Sequence, residues 1–262
     1  MNLVPSRKSD VIDFKLLGDD MQAVVVTLDP GEQVMAEAGT FFYMQDGIDM
    51  QTGMNADRDK GFLGNLLKAA GRMVTGESFF ITTFTNTGAA RADVAFAAPY
   101  PGKILPVDLH AMGGTILAQK DSFLCAARGT DIAVAFNRKL GAGLFGGEGF
   151  ILQKLTGDGL AFIHSGGTLV EQELTAGQTL RVDTGCVVAF TPSVDFDVQF
   201  VGGFKNALFG GEGLWFATLR GPGRVWLQTL PFSRLANRIA AGLSRPKEQS
   251  GGFLGKLMGD GD

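Results

Sequence analysis

An internal repeat with a constant offset limits the folds open to this chain more than any other feature of the sequence. A shift of 64 residues places residues 113–159 on residues 177–223 without a gap, with 14 identities in 47 positions. The identities include the whole of LFGGEG, at Leu144 to Gly149 and again at Leu208 to Gly213. A more divergent third copy is indicated upstream, at the dipeptide Gly76-Glu77. We therefore predict three related structural units.

Composition and turn residues favour an all-β fold for these units. The chain has 38 glycines and 21 phenylalanines but only 9 prolines, which is typical of short apolar strands joined by tight turns. In each unit two apolar segments flank a glycine turn, TNTG, TGDG or RGPG, and we predict a β-hairpin at each. The segment AEAGTFFYM at Ala36 to Met44 matches AARGTDIAV at Ala126 to Val134. Repeated units with an offset of 64 residues predict small sheets packed about a pseudo-threefold axis, as a prism or barrel.

The repeat also sets the expected domain organisation. We place the units at about residues 10–100, 101–170 and 171–230, within a single domain over residues 1–245. After Arg245 the chain becomes polar and rich in glycine. We expect residues 246–262 to form a flexible tail.

Two segments that interrupt the repeat have the periodicity of amphipathic helices. One is a short helix inserted in the first unit, from Phe62 to Val74, and the other is a C-terminal helix from Phe232 to Leu243. Their candidate interaction residues are Phe62, Leu63, Leu66, Leu67, Phe232, Leu235 and Ile239. Packing on the β core and docking on lipid or a protein partner both stay open as interpretations.

Polar residues give little indication of catalysis. The repeated turn residues are Gly76, Glu77, Gly147, Glu148, Gly211 and Glu212. We interpret these glutamates as turn-forming, since three converging carboxylates without further ligands would repel one another, although binding of a cation stays open. His110 and His164 lie in no nucleophile or metal motif and are interpreted as structural or surface residues. We expect no catalytic residue, no metal and no cofactor.

Charge and hydropathy narrow the classes of partner. The formal net charge is -4, so the chain has no polycationic character and a nucleic-acid partner is not expected. No apolar run reaches the length needed to span a bilayer, and the N-terminus lacks a signal-peptide core. We expect a cytoplasmic protein that associates with membranes only at the periphery. Free strand edges on such a β body also predict symmetric self-association.

The three Gly-Glu turns, together with FLGNLLKAAGRMVTGESFF in the first unit and LANRIA near the end, resemble the altered inheritance of mitochondria protein 24 family. The resemblance covers roughly residues 10 to 241. It implies a compact β fold of the tryptophan RNA-binding attenuator protein-like class, without established enzymatic activity. It also implies an association with mitochondrial membrane organisation or bacterial stress responses, and it identifies no ligand.

The sequence thus predicts a non-enzymatic interaction or scaffold protein, associated with membranes or stress responses. The alternative is a β protein that binds a small ligand or metal and has an unrecognised activity. A structure separates the two by showing whether an apolar surface or a polar pocket dominates.

Overall fold

The computed structural model describes residues 7–37, 39–54, 80–138, 149–201 and 214–243, and the predicted all-β class is confirmed. The first strands are β1 (Asp13–Leu17), β2 (Ala23–Leu28), β3 (Gln33–Glu37), β4 (Phe41–Met44), β5 (Ile48–Met54), β6 (Phe80–Asn86) and β7 (Ala92–Ala97). The middle strands are β8 (Gly102–Asp108), β9 (Thr115–Gln119), β10 (Phe123–Ala127), β11 (Asp131–Arg138), β12 (Phe150–Thr156) and β13 (Leu160–Gly166). The last are β14 (Leu169–Leu174), β15 (Thr179–Asp183), β16 (Val187–Phe190), β17 (Asp195–Val201), β18 (Leu214–Arg220) and β19 (Gly223–Gln228).

The described strands form four antiparallel sheets. The first sheet has the order β1-β2-β7-β4, and the second has the order β5-β6-β3-β10-β13-β8. The third sheet has the order β11-β12-β9-β16-β19-β14, and the fourth has the order β15-β18-β17. None of the four closes on itself, so the barrel form of our prediction is wrong. The pseudo-threefold axis is not confirmed, and the predicted unit and domain boundaries stay predictions.

Each sheet packs against the next one in this numbering. Within the described residues, a separate hydrophobic cluster joins each sheet to the next. Representative members of the three clusters are Phe96 with Phe84, Ile163 with Trp226, and Phe190 with Leu219. The second and third sheets are therefore covered on both faces, whereas the first and fourth sheets each contribute to one described cluster.

Burial on both faces explains the composition of the inner strands. Both strand faces need apolar residues when a sheet lies between two others, so such strands show no polar alternation. β10 has the sequence FLCAA, and all five of its residues are buried. β14 lies at the edge of the third sheet, and its residues Glu171, Gln172 and Glu173 are exposed.

The strands that flank the glycine turns do not form hairpins, contrary to our prediction. β12 lies in the third sheet, but β13 lies in the second, so the chain arches from one sheet to its neighbour. The turn between them is held by other segments instead. The carboxylate of Asp158 accepts the backbone N–H groups of Lys8 at 2.7 Å and Ser9 at 2.9 Å, and the Gly159 carbonyl accepts the Leu109 N–H at 3.0 Å. The same arch separates β6 from β7 and β18 from β19.

The two complete sheets have the same internal order. Adding six to each strand number of the second sheet gives the order of the third sheet. By this correspondence the first unit contains β2 to β7, the second β8 to β13 and the third β14 to β19. Strand β4 then corresponds to β10 and β16, so the match of Ala36–Met44 with Ala126–Val134 is one strand out of place.

The predicted C-terminal helix is confirmed as α1 (Phe232–Leu243). It follows Pro231, whose carbonyl oxygen accepts the N–H groups of Arg234 at 3.0 Å and Leu235 at 3.3 Å. The inserted helix predicted from Phe62 to Val74 lies outside the described residues.

Candidate functional site

Only part of the predicted site falls within the described residues. Phe232, Leu235 and Ile239 lie on α1, as expected. The predicted residues that lie outside the described ranges are Phe62, Leu63, Leu66, Leu67, Gly76, Glu77, Gly147, Glu148, Gly211 and Glu212. The roles of these residues in docking or in the repeated turns stay predictions.

The structure contains a cavity of about 560 Å³ that the sequence did not predict. Its walls come from the last residues of β3 and β9 and from the chain segments that follow β3, β9 and β15, which occupy corresponding places in the three units. The residues from these segments are Glu37, Gly39, Thr40, Gln119, Asp121 and Gly185. The first turns of α1 close one side through Phe232 and Ala236. The volume lies within the range of small-molecule sites.

His164 lines this cavity and is almost fully buried, with 2% of its surface exposed. Neither imidazole nitrogen has a hydrogen-bond partner of normal geometry among the described residues. The Tyr100 ring meets the imidazole edge-on at 4.6 Å. Burial lowers the pKa of His164 to about 4, and the backbone of Tyr100 acts in the opposite direction. The ring is therefore neutral near pH 7, with one donor and one acceptor nitrogen.

Gln228 occupies the place in the third unit that His164 occupies in the second. Its Oε1 accepts the Gly166 N–H at 2.7 Å, and its Nε2 donates to the Gly185 carbonyl at 2.8 Å. Gln228 pairs with Leu169 in the third sheet, and His164 pairs with Ile104 in the second. Gly166 lies three residues before Leu169, and Pro101 lies three residues before Ile104, so Pro101 is the counterpart of Gly166. Proline has no N–H group to donate. The second unit thus lacks a counterpart of the backbone N–H that donates to Gln228 in the third unit.

Tyr100 connects the cavity to α1. Its ring lies 5.4 Å from the ring of Phe232. Burial raises the pKa of Tyr100 well above its usual range, and the carboxylates of Asp121 and Glu37 raise it further. The phenol therefore keeps its proton. Glu37 and Asp121 line the cavity, and no described lining residue is a lysine or arginine, so the site favours uncharged or cationic molecules.

Helix α1 is packed only at its beginning. Leu235 and Ala236 are half-buried, whereas residues 237–242 are all exposed, including Ile239 with 56% of its surface accessible. Arg234 links the first turn of α1 to the end of β15 by donating a hydrogen bond to the Asp183 carboxylate at 2.7 Å. Within the described residues, no helix is both long enough and apolar enough to span a bilayer. The apolar stripe of α1 is thus partly uncovered.

The described residues supply neither a conventional metal centre nor a local catalytic pair. No group of three potential metal-ligating side chains occurs among them. His164 and Ser165 are adjacent in β13, so their side chains point to opposite faces of the sheet and do not form a dyad. The other histidine, His110, is exposed, and its backbone N–H, not its imidazole, donates to the Asp108 carboxylate at 3.0 Å.

Comparisons with known proteins agree with the arrangement of the strands. The family model described as mitochondrial biogenesis AIM24 matches residues 14–230. An uncharacterized protein from Streptococcus pyogenes serotype M6 is 30% identical over 218 residues, which are 82% of this chain and 84% of that protein. A crystal structure of a Streptococcus pyogenes protein superimposes with a TM-score of 0.69 over 88% of this chain and 99% of its own, at 24% identity. The crystal structure supports the fold alone.

Proposed function

This chain belongs to the mitochondrial biogenesis AIM24 family, and we propose that it is a non-enzymatic interaction protein that docks on anionic membrane surfaces through α1. The observation that carries the proposal is the exposure of Ile239 and of the last turns of α1, beyond the point where the helix leaves the β core. An apolar stripe that the core does not cover is available to another surface.

Charge on α1 supports a lipid surface as that partner. Arg238 is exposed next to Ile239, whereas the charge of Arg234, one turn earlier, is paired with Asp183. A helix that combines an apolar stripe with arginines lies in the interface of an anionic bilayer, where each basic residue near the surface contributes about 1 kcal/mol. Because α1 is only 12 residues long, one copy binds weakly and reversibly.

Vesicle co-sedimentation of the full chain tests this proposal. We expect binding to vesicles of phosphatidylserine and phosphatidylcholine at low salt, and little binding to phosphatidylcholine alone. Ile239→Asp should abolish the binding because it places a charge in the apolar stripe. Met21→Asp is the matched control, since Met21 is 67% exposed and lies outside α1. The proposal fails if the unmodified chain stays in the supernatant, or if Ile239→Asp binds as well as Met21→Asp.

The cavity supports a second function, the binding of a small amphipathic ligand. The specific observation is His164, a buried side chain that lines a space of ligand size and whose two nitrogens have no hydrogen-bond partner of normal geometry among the described residues. An unsatisfied buried polar group costs stability, so a ligand that hydrogen-bonds it would bind favourably. The acidic lining predicts a molecule with an apolar body and an uncharged or cationic polar end.

Three probes of equal length distinguish this function from non-specific apolar binding. We expect hexylamine and hexanol to shift the imidazole NMR signals of His164, and hexanoate to leave them unchanged because Glu37 and Asp121 repel its carboxylate. His164→Phe keeps an aromatic ring but removes both nitrogens, and should weaken the binding of hexanol in calorimetry. Equal binding of all three probes, or undiminished binding of hexanol to His164→Phe, would rule out this site.

A further inference from the structure

The second unit carries a carboxylate at a cavity position where the other two units carry glycine. Asp121 lies two residues after the end of β9, Gly39 lies two residues after the end of β3, and Gly185 lies two residues after the end of β15. All three residues line the cavity. Asp121 therefore adds to one wall a negative charge that its counterparts do not supply.

Strand register establishes this correspondence. The strands β4, β10 and β16 each pair with the last strand of their own unit, and each pairing contains an irregularity at the same place. The residues directly after the irregularity are Tyr43, Cys125 and Ala189. These three are therefore equivalent, and Phe42 is equivalent to Leu124. Counting back four residues from each of the three gives Gly39, Asp121 and Gly185.

The second unit also leaves a hydrogen-bond acceptor without its donor. In the third unit the Gly166 N–H donates to Gln228, whereas Pro101, the counterpart of Gly166, has no N–H. His164 is the counterpart of Gln228, and neither of its nitrogens has a partner of normal geometry in the part of the chain that the structure describes. A neutral imidazole keeps one nitrogen that can accept a hydrogen bond. A ligand in the cavity can therefore supply the missing donor.

The charges of the cavity walls favour a cation as this donor. Asp121 is exposed and Glu37 is half-buried, so both carboxylates lie nearer to the solvent than His164 does. Both raise the pKa of Tyr100, whose ring contacts the imidazole, so their negative potential extends into this part of the cavity. The hydrogen bond that Asp121 accepts at 3.1 Å comes from the neutral amide of Gln119 and leaves the negative charge in place.

The remaining walls provide space for an apolar chain. Phe123 and Leu124 enter the cavity wall from β10 and are buried, and Phe232 and Ala236 enter it from α1. The Tyr100 ring lies between His164 and Phe232, with ring centroids 4.6 Å and 5.4 Å away. An alkyl chain that leaves water for such walls is stabilised by the hydrophobic effect.

We propose that the cavity binds a primary alkylamine in its protonated form, whose ammonium group donates a hydrogen bond to His164 while Asp121 and Glu37 balance its charge. The proposal rests on the ligand-binding function proposed above, and it narrows the ligand to a cation that carries N–H donors. The ammonium group supplies the donor that Pro101 cannot provide. The carboxylates offset the cost of removing the ammonium charge from water.

Calorimetry of the full chain at neutral pH, with three probes of the same chain length, tests this proposal. Hexylamine carries a charge and N–H donors, hexyltrimethylammonium carries a charge without a donor, and hexanol carries a donor without a charge. We expect hexylamine to bind at least about tenfold more tightly than either of the others, because a hydrogen bond from a charged donor is stronger than one from a neutral donor. Hexylamine should also move the NMR signal of the accepting imidazole nitrogen further than hexyltrimethylammonium does.

Each other outcome overturns the proposal. Hexanol that binds as tightly as hexylamine would overturn it and leave the broader ligand-binding function standing. Equal binding of hexyltrimethylammonium and hexylamine would show that the site responds to charge without a hydrogen bond to His164. Failure of all three probes to bind would overturn both the proposal and the broader function.

Asp121→Asn tests the carboxylate with little change in the shape of the cavity. We expect this variant to bind hexylamine about three- to fivefold more weakly, because the charge pair is partly exposed, and to bind hexanol as before. Asp46→Asn is the matched control, since Asp46 is exposed and does not line the cavity. His164→Phe should bind hexylamine no more tightly than hexyltrimethylammonium. Equal hexylamine binding by Asp121→Asn and Asp46→Asn would overturn the role of the second unit's carboxylate and the proposal with it.

Discussion

Strands β4 and β10 have the same place in their units and opposite surroundings. Phe42 in β4 is 57% exposed, and its equivalent Leu124 in β10 is 1% exposed. Both strands are apolar and both pair with the last strand of their unit. The difference lies in what is beside them: β10 has the first unit's β3 on its other side, and β4 has no described strand there. Burial in this fold is thus set by the neighbouring unit rather than by the strand's own sequence.

A charged side chain at the two equivalent positions gives the most severe test of this difference in burial. Leu124→Asp should lower the free energy of unfolding by more than about 4 kcal/mol, because it buries an unpaired carboxylate. Phe42→Asp should change it by less than about 1 kcal/mol at protein concentrations too low for association. Urea unfolding of both variants checks this. A loss for Phe42→Asp as large as that for Leu124→Asp would mean that β4 is buried within the single chain.

Shortening a side chain at equivalent positions of β4 and β16 tests the same difference in burial against the third unit. Met44 in β4 corresponds to Phe190 in β16, which is 1% exposed. Phe190→Ala should cost about 3–5 kcal/mol because it leaves a cavity between the third and fourth sheets. Met44→Ala should cost less than about 1 kcal/mol, since the side chain is already 39% exposed. Thermal unfolding followed by circular dichroism compares the two, and equal losses would contradict the difference in burial.

His164 and Gln228 extend the comparison to the cavity. The pKa of His164 is about 4 in the folded chain and about 6.5 when unfolded, so only the unfolded chain gains this proton between these values. Stability should therefore be complete above pH 6.5 and fall by up to about 3 kcal/mol as the pH drops to 4. His164→Gln, which introduces the third unit's residue, should remove this part of the pH dependence. Urea midpoints at pH 7 and pH 4.5 give the result, and parallel losses in both proteins would refute the assignment.

The smallest expected effect concerns the end of β15. Asp183 accepts a hydrogen bond from Arg234 of α1, whereas the equivalent Gln119 of β9 contacts Asp121 nearby. The ion pair is partly exposed, so Arg234→Ala should cost about 0.5 kcal/mol or less, and the loss should shrink in high salt. Unfolding at two salt concentrations measures this. A loss above about 2 kcal/mol would show that α1 anchors the third unit much more firmly than its exposed surface indicates.

Much of the secondary structure was predictable from local patterns. The spacing of Phe232, Leu235 and Ile239 predicts α1, and the structure has a helix with the predicted bounds, Phe232–Leu243. Strands such as β12 and β13 follow from apolar runs on either side of a glycine turn. These features depend on near neighbours in sequence, which is why the sequence alone reveals them.

The pairing of the strands was not predictable in the same way. A turn such as Gly157-Asp158-Gly159 shows that the chain reverses, but not whether the two strands then share a sheet. Strands buried on both faces also lack the polar alternation that would identify a preferred partner face. Hairpins were therefore predicted where the chain arches between layers.

The cavity was missed because its residues come from distant segments. Thr40, Tyr100, Gln119, His164 and Gln228 meet only after the sheets stack. One signal was nevertheless present, since the 64-residue offset places His164 on Gln228. Two different polar residues at equivalent positions of apolar strands indicate a polar site in the interior.

The arches between sheets have a consequence for the evolution of length in this architecture. Each unit contributes half of its strands to one layer and half to the next, so three units give two complete layers and two halves. Adding or losing one unit would change the sheets and also the cavity, because all three units contribute to the cavity walls. The number of units is therefore fixed by the cavity, unlike in a linear repeat protein, where each repeat contacts only its neighbours.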